Sequence, residues 1–189
     1  MGKNKMTTLY LWRHPKPIAA QHRCIGQTDL TVNRRKIKRL ANRISRFVRR
    51  HHLPKVIWVS PLQRSRQVGA CLAARGFTCH IDSRLMEINF GDWDGRFWQN
   101  IDKGQIDAWC ADFANFAPDN GENLTEFFAR IENLIASFDN EKNLPKLIVG
   151  HSGWISAATM IANDQAVPTD AATWSKAVSY NELRVLEIK

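Results

Sequence analysis

Long apolar runs are absent from this sequence of 189 residues. No stretch approaches the roughly 20 consecutive apolar residues that a membrane-spanning helix needs, so we expect no membrane span and no membrane partner. The basic start of the chain leads into an apolar stretch that Arg13 and His14 interrupt within a few residues, which argues against a signal peptide. Internal repeats, low-complexity segments and linkers are also missing, which favours a single domain over residues 1–189.

Paired cysteine motifs are missing as well. The four cysteines, at positions 24, 71, 79 and 110, include no C-x-x-C pair, and a chain of this length folds without disulfide bonds. We therefore expect reduced thiols and a cytoplasmic location. The histidines at positions 22, 51, 52 and 80 have no partner at metal-ligand spacing, so no metal site is expected.

Acidic residues are nearly absent from the first part of the chain. Residues 1–81 contain 18 of the 27 lysines and arginines but a single acid, Asp29. Nine of these cations lie between positions 34 and 51, where apolar residues recur every three or four positions. This pattern predicts an amphipathic helix, and Asn33 is its predicted N-cap. Its cationic face has the charge to bind nucleic acid or an anionic membrane, but no aromatic residue or nucleic-acid-binding motif accompanies it. We interpret it as a solvated face that raises the potential around an anionic substrate, and expect no nucleic-acid partner. The oligomeric state stays open.

The whole chain alternates short apolar runs with segments of helical period. The apolar runs predict strands at Thr8–Arg13, Val56–Ser60, Phe77–Ile81, Lys146–Gly150 and Leu183–Ile188. The periodic segments predict helices at Arg34–His51, Leu62–Arg75, Gly104–Phe116, Leu124–Phe138 and Trp154–Ala162. This alternation is typical of an α/β three-layer sandwich, with a largely parallel central sheet and helices on both faces. The apolar stripe of Leu124–Phe138 is predicted to belong to the core.

Three of the predicted strands end in unusually polar residues. The first ends in Arg13-His14, the second is followed by Arg64, and the fourth by a Gly-His-Ser-Gly turn at 150–153. Carboxyl ends of parallel strands meet at one edge of a sheet, so these cationic groups would gather there without a nearby carboxylate. Such a cluster predicts a phosphoryl site, because guanidinium groups bind phosphate oxygens bidentately and His14 is placed to attack phosphorus. A helix that begins near Ser152 would add backbone N–H groups.

Four motifs together resemble the histidine phosphatase superfamily, the phosphoglycerate-mutase-like enzymes. They are Arg13-His14, Ser60-Pro61-Leu62-Gln63-Arg64, Glu87 within the segment 85–95, and Gly150-His151-Ser152-Gly153. They occur in that family's order, and the resemblance runs from about Thr8 to Ile188. The segments 24–29, 90–95 and 121–123 resemble the small bacterial branch that includes α-ribazole phosphatases of cobalamin biosynthesis.

The resemblance implies a phosphomonoesterase that acts on a small phosphorylated metabolite through a phosphohistidine intermediate, with α-ribazole 5'-phosphate as a candidate. It implies that His14 is the nucleophile, and that Glu87 is the general acid and then the general base. Arg13, Arg64 and a cationic His151 would bind the equatorial oxygens of the phosphoryl group. Neither a metal nor another cofactor is then required.

Glu87 has competing interpretations at this point. It could form a structural ion pair with Arg84 or Arg96 instead of acting on the substrate. Asp92 and Asp94 are nearby alternatives for the general acid. The sequence by itself leaves these choices open.

The sequence also departs from the family pattern directly after the nucleophile. Proline follows His14 at position 15, and a proline has no backbone N–H to offer to a phosphate. The asparagine usual in the family is absent, since position 20 is alanine, and we expect Gln27 to supply the polar phosphate contact instead. These departures keep a catalytically impaired phosphate-binding protein as one alternative. A phosphoglycerate-mutase-type phosphotransferase is another, although the chain lacks the long insertions of such enzymes.

Two segments are expected to select the substrate. They are the loop at 15–30 and the mixed aromatic and acidic segment at 93–123. Within the second segment, Phe97, Trp98 and Trp109 are predicted to serve packing, with the alternative that one of them lines the substrate pocket. The sequence does not choose among phosphorylated alcohols.

Overall fold

The computed structural model describes residues 6–138, 144–174 and 177–188. In these ranges the regular elements, apart from short 3₁₀ turns, are β1 (Thr7–Arg13), α1 (Arg34–Arg50), β2 (Val56–Val59), α2 (Gln63–Ala73), β3 (Thr78–Ile81), α3 (Lys103–Ala111), α4 (Leu124–Phe138), β4 (Lys146–Gly150), α5 (Ser152–Ala162) and β5 (Leu183–Ile188). Each predicted strand and helix is confirmed in type, with ends that differ by a few residues. The largest difference concerns α3, which ends five residues before the predicted Phe116 because Asp112 leaves the helical conformation, at φ −133° and ψ 63°.

The five strands form one sheet in the order β3-β2-β4-β1-β5. Strands β1 to β4 run parallel to one another, and β5 pairs antiparallel with β1 at the edge. In the central pair, Arg13 at the end of β1 lies opposite Gly150 at the end of β4. The two polar strand ends are therefore direct neighbours, as the parallel pattern predicts.

Helices cover both faces of this sheet, and β1 shows why. Leu9 and Leu11 pack with α4 and α5 on one face, whereas Trp12 packs with α1 and α2 on the other. The predicted apolar stripe of α4 is confirmed as core, since all seven of its members are buried. The α/β sandwich with a largely parallel sheet is thus confirmed. No helix in the described ranges is long and apolar enough to cross a membrane.

Helix α1 has the predicted two-sided character. The Asn33 side chain accepts a hydrogen bond from the backbone N–H of Arg35 at 2.9 Å, which confirms the N-cap. The apolar side packs into the core, while all nine cations are exposed. None of the nine forms an ion pair within the described ranges. The role of this cationic face stays a prediction.

Candidate active site

A cavity of about 580 Å³ opens where β1 and β4 end. Five of the seven residues that the sequence singled out line it, namely Arg13, His14, Arg64, Glu87 and Ser152. His151 lies directly behind His14, with 5.0 Å between the ring centroids, and is fully buried. Gln27 is not part of the lining. The fold therefore brings the four motifs together.

His14 is held as a neutral imidazole with one nitrogen free. Its Nδ1 lies 2.8 Å from the carbonyl oxygen of Pro15, which can only accept, so Nδ1 carries the proton and donates. Burial lowers the pKa of His14 well below its ordinary value, and the positive charge of Arg64 lowers it further. The lone pair of Nε2 is then available at neutral pH, as a nucleophile requires.

His151 is also neutral, which differs from the cationic form expected from the sequence. The Arg64 Nε–H donates to its Nδ1 at 3.2 Å, and a nitrogen that accepts a hydrogen bond cannot carry a proton. Burial is the main cause that lowers the pKa of His151 well below its ordinary value, followed by the charge of Arg64. The proton therefore sits on Nε2, a buried atom with no hydrogen-bond partner in the described part of the chain. That N–H remains as a donor.

Arg64 holds a loop as well as the histidine. Its Nη1 donates to the carbonyl oxygen of Thr28 at 2.7 Å, and its Nη2 donates to that of Gly26. The side chain is 1% exposed. A guanidinium has five N–H groups, so two stay available after these bonds and the one to His151. Arg64 thus fixes the loop at 26–28 while it contributes charge to the cavity.

Asp94 holds the same loop from the other side, and this answers one of the open choices for the general acid. Its carboxylate accepts the backbone N–H groups of Gly26, Gln27 and Thr28 at 3.2, 2.5 and 3.0 Å. Asp92 is exposed. Neither carboxylate lines the cavity.

Glu87 is the carboxylate that does line the cavity, and the start of α5 holds it there. Its Oε2 accepts the backbone N–H of Gly153 at 2.9 Å, and its Oε1 accepts those of Trp154 and Ile88 at 3.1 and 3.2 Å. A negative side chain at this end also interacts favourably with the helix dipole. The sequence predicted that backbone N–H groups at the start of α5 would bind phosphate. This prediction is corrected, because the N–H groups of Gly153 and Trp154 bind Glu87 instead.

The ion pairs considered for Glu87 do not form. Arg84 pairs with Asp82 at 2.8 Å, and Arg96 donates to the carbonyl oxygen of Asn100 at 2.6 Å. In the described ranges the Glu87 carboxylate therefore has backbone hydrogen-bond partners and no ion pair, while its charge acts on the nearby guanidinium groups of Arg64 and Arg13.

The main chain of Glu87 is fixed by two further side chains. Its carbonyl oxygen accepts from Arg130 Nη2 at 2.9 Å and from Gln27 Nε2 at 3.1 Å. Arg130 is itself held by an ion pair with Glu122 at 2.7 Å. Gln27 therefore supports Glu87 here, in place of the phosphate contact expected from the sequence, because its amide nitrogen points to this carbonyl.

Arg13 is positioned by a segment that the sequence analysis missed. Its Nη1 donates to the carbonyl oxygen of Val178 at 2.5 Å, and its Cζ lies 3.7 Å from the ring centroid of Tyr180. The hydroxyl of Ser152 accepts the backbone N–H of Val178 at 3.0 Å, which ties the same segment to α5. Tyr180 also lies 5.7 Å from His14 between ring centroids. The sequence marks this segment only by an aromatic residue shortly before the last strand.

Much of the remaining cavity wall is aromatic, and aliphatic side chains complete it. The rings belong to Phe90, Trp98, Trp109, Phe113 and Trp174. The packing role predicted for Trp98 and Trp109 is therefore incomplete, since both rings also face the cavity. Phe97 is outside the lining and lies 3.9 Å from the guanidinium of Arg23, a cavity residue that the sequence analysis did not select.

Both segments expected to select the substrate contribute to the lining. The loop at 15–30 supplies Pro17, Ala20, Arg23 and Ile25, and the segment at 93–123 supplies three aromatic residues. Residues in 171–174 and 177–180 also line the cavity, which was not anticipated. No group of three or more potential metal ligands lies together in the described part of the chain, and the absence of a metal requirement stays a prediction.

We expect Gly153→Ala to lower kcat without unfolding the protein. A Cβ at this position would lie 2.5 Å from Glu87 Oε1, which displaces a carboxylate that three backbone groups hold. The expected decrease is about 10- to 100-fold, which is part of the effect that general acid–base catalysis contributes. Steady-state kinetics measures it. Gly150→Ala is the matched control, because its Cβ would meet no atom closer than 3.9 Å. Equal activities of the two variants would contradict the role of Glu87.

The buried His14 and His151 predict how the activity and the stability of the protein depend on pH. Their pKa values are lowered from 6.5 in the folded protein, so His14 stays unprotonated, and kcat/KM should keep its plateau below pH 6.5. Below that pH the unfolded state binds more protons than the folded state, and the free energy of unfolding should therefore decrease as the pH falls. Urea unfolding at pH 7.5 and 5.5 measures this loss. His14→Asn should lose less stability than the wild type over the interval.

A family model and several curated relatives match this chain. The model of the histidine phosphatase superfamily (branch 1) matches residues 9–188. The adenosylcobalamin/α-ribazole phosphatase of Salmonella typhimurium is 35% identical over 122 residues, which are 61% of this chain and 58% of that protein. The match thus spans less than two thirds of that relative. The glucosyl-3-phosphoglycerate phosphatase of Mycobacterium tuberculosis is 30% identical over 155 residues, which are 70% of this chain and 69% of the relative.

Solved structures resemble the fold over nearly its full length. The mycobacterial glucosyl-3-phosphoglycerate phosphatase superposes with a TM-score of 0.80 at 25% identity, covering 96% of this chain and 90% of its own. The α-ribazole phosphatase from Shigella flexneri gives a TM-score of 0.74 at 26% identity, covering 95% and 89%.

Proposed function

The chain belongs to the histidine phosphatase superfamily, and on this basis we propose that it hydrolyses phosphomonoesters through a phosphohistidine formed on His14. The observation that carries the proposal is the state of His14. A buried, neutral imidazole donates from Nδ1 to Pro15 and has a free Nε2, and it stands among Arg13, Arg64 and the Nε2–H of His151.

In the first step, the lone pair of His14 Nε2 forms a bond to phosphorus while the bond from phosphorus to the ester oxygen breaks. Glu87 takes up a proton from the bound monoanionic phosphomonoester and gives it to the departing oxygen, so that a neutral alcohol leaves. Proline at position 15 supports this step, since its carbonyl oxygen fixes the tautomer of His14. Pro15 has no backbone N–H, but its carbonyl oxygen is the acceptor that His14 Nδ1 needs.

In the second step, water attacks the phosphohistidine from the vacated side. Glu87, now a carboxylate, accepts a proton from the water, the bond from nitrogen to phosphorus breaks, and orthophosphate leaves. Arg13, Arg64 and the His151 Nε2–H stabilise the equatorial oxygens in both transition states. His151 does this as a neutral donor, because Arg64 occupies its Nδ1.

We propose α-ribazole 5'-phosphate as the candidate substrate among small phosphorylated metabolites. Curated and structural relatives carry the α-ribazole phosphatase name, whereas others carry that of glucosyl-3-phosphoglycerate phosphatase. The two substrates differ in chemistry, since the first has an aromatic base and the second a sugar acid. We further propose a cytoplasmic location, which the four unpaired cysteines support.

The experiment is a hydrolysis panel combined with intermediate trapping. Purified protein is incubated with α-ribazole 5'-phosphate, sugar phosphates, phosphoglycerates and nucleotides, and released orthophosphate is measured. Rapid quench with labelled substrate should reveal an acid-labile, base-stable phosphoenzyme. Transfer of the label to a second position of phosphoglycerate would instead indicate a mutase. Orthophosphate binding without any phosphoenzyme would indicate an impaired phosphate-binding protein.

A further inference from the structure

The cavity is divided into two chemically different parts. The part around His14 holds Arg13, Arg64 and Glu87, whereas much of the remaining lining is aromatic. We use the name aromatic wall for Phe90, Trp98, Trp109, Phe113 and Trp174. Consecutive rings of the wall touch, with centroid distances from 5.1 to 6.5 Å.

These rings are not a closed core. Trp98 is 39% exposed, and Phe90, Trp109 and Trp174 are only partly buried, whereas Phe113 is 5% exposed and supports the others from the core. Trp98 and Trp109 lie nearly parallel, with 6° between their planes, and Phe90 meets both of them edge-on. Large aromatic surfaces that remain accessible inside a concave site are available to a ligand.

Charge is scarce in the rest of the cavity lining. Apart from the groups assigned to the phosphoryl part, Arg23 is the one charged side chain in the lining of the described chain. Its Nη1 donates to the carbonyl oxygen of Gly95 at 2.7 Å, and its guanidinium lies on the ring of Phe97. A leaving group rich in carboxylates would therefore find few partners here.

We propose that the aromatic wall is a binding site for an aromatic ring system in the leaving group of the phosphomonoester. The proposal rests on the phosphatase function proposed above and narrows its substrate class. An aromatic ring fits because it presents a positive edge and a negative face to the rings of the wall, which offer both arrangements. A saturated ring of the same size fills the space but lacks this electrostatic match.

Binding of two matched phosphonates tests the proposal without requiring turnover. 2-Phenylethylphosphonate and 2-cyclohexylethylphosphonate have the same chain and a non-hydrolysable carbon in place of the ester oxygen, and they differ in the aromaticity of the ring. Isothermal titration calorimetry with wild-type protein should give a Kd about 3- to 10-fold lower for the phenyl compound, the range expected for an aromatic contact beyond its buried area.

Variants of the wall locate the effect. Trp98→Leu and the double variant Trp98→Leu/Trp109→Leu should reduce the ratio of the two Kd values, the double variant to near one. Phe97→Leu is the matched control, because Phe97 is 37% exposed, is adjacent in sequence and does not line the cavity. It should keep the wild-type ratio. Circular dichroism and thermal unfolding verify that each variant folds. If the double variant does not fold, the single variant Trp98→Leu provides the test.

Equal Kd values for the two phosphonates in the wild-type protein would overturn the proposal, and so would an unchanged ratio in Trp98→Leu. The phosphatase function fails separately, if trapping reveals no phosphoenzyme with any substrate. A protein that discriminates between the phosphonates but forms no phosphoenzyme would keep the aromatic site and lose the catalytic assignment.

Discussion

Replacing His14 by alanine is expected to lower kcat by about 10⁶-fold, the order of effect seen when a hydrolase loses its nucleophile. No other imidazole can substitute, because the Nδ1 of His151 is bonded to Arg64 and its Nε2 carries a proton. The label of the substrate should no longer appear on the protein in a rapid-quench experiment. His14→Asn should be equally inactive while it retains a side-chain N–H for the carbonyl oxygen of Pro15.

The matched control for the nucleophile is His80→Ala. His80 is exposed on the edge strand β3, where its ring stacks on Trp58 with 5.0 Å between centroids. Its loss should leave kcat and the phosphoenzyme unchanged. A His14→Ala protein that turns over like the wild type, or one that still accepts the label, would rule out His14 as the phosphoryl acceptor.

Arg64→Leu is expected to have the second-largest effect. The loss of one transition-state donor of this kind corresponds to about 10²- to 10³-fold in kcat. The variant should also be less stable, because the buried carbonyl oxygen of Gly26 loses its donor, at about 1 to 3 kcal/mol for an unsatisfied group, whereas the partly buried carbonyl oxygen of Thr28 keeps the N–H of Leu30. Arg64→Lys keeps the charge but not the three directed bonds, so it should recover part of the binding and little of the stability.

Arg66 provides the control on the same helix. It lies two residues further along α2 and is exposed, so Arg66→Leu removes one positive charge without disturbing the cavity. Steady-state kinetics and urea unfolding of both variants separate the two contributions. If Arg66→Leu were as damaging as Arg64→Leu, the effect of Arg64 would be one of net charge and not of geometry.

The sequence predicted the elements and their layering because these depend on local periodicity. Short apolar runs and helical stripes record which face of each element is buried, and the sheet then aligns the ends of β1 and β4. The convergence of Arg13, His14 and Arg64 followed from this alignment. The motif order of the family added Glu87, which no local pattern places near the histidines.

The details of the site could not be predicted, because they depend on the directions of single hydrogen bonds. The neutral state of His151 follows from where the Arg64 Nε–H points, and the position of Glu87 follows from the first turn of α5. The supporting role of Gln27 depends on the conformation of its loop. That conformation is fixed by hydrogen bonds to Asp94, which lies 67 positions further along the chain. Composition and spacing record none of these directions.

The aromatic wall and Tyr180 were missed for a related reason. Aromatic residues pack in cores more often than they line sites, and although four rings of the wall lie within 90–113, Trp174 comes from a segment distant in sequence. Which face of Trp98 or Trp109 meets solvent is decided by the loops around them. A periodicity argument therefore assigns such rings to packing.

The bond between Arg13 and the carbonyl oxygen of Val178 joins residues 165 positions apart. A ribosome that adds about 5 to 20 residues per second needs on the order of 10 s or more between these two positions, and until then Arg13 lacks its partner. Contacts of such sequence separation also form slowly, because a long loop must close first. The phosphoryl part of the cavity is therefore among the last regions of the nascent protein to become ordered.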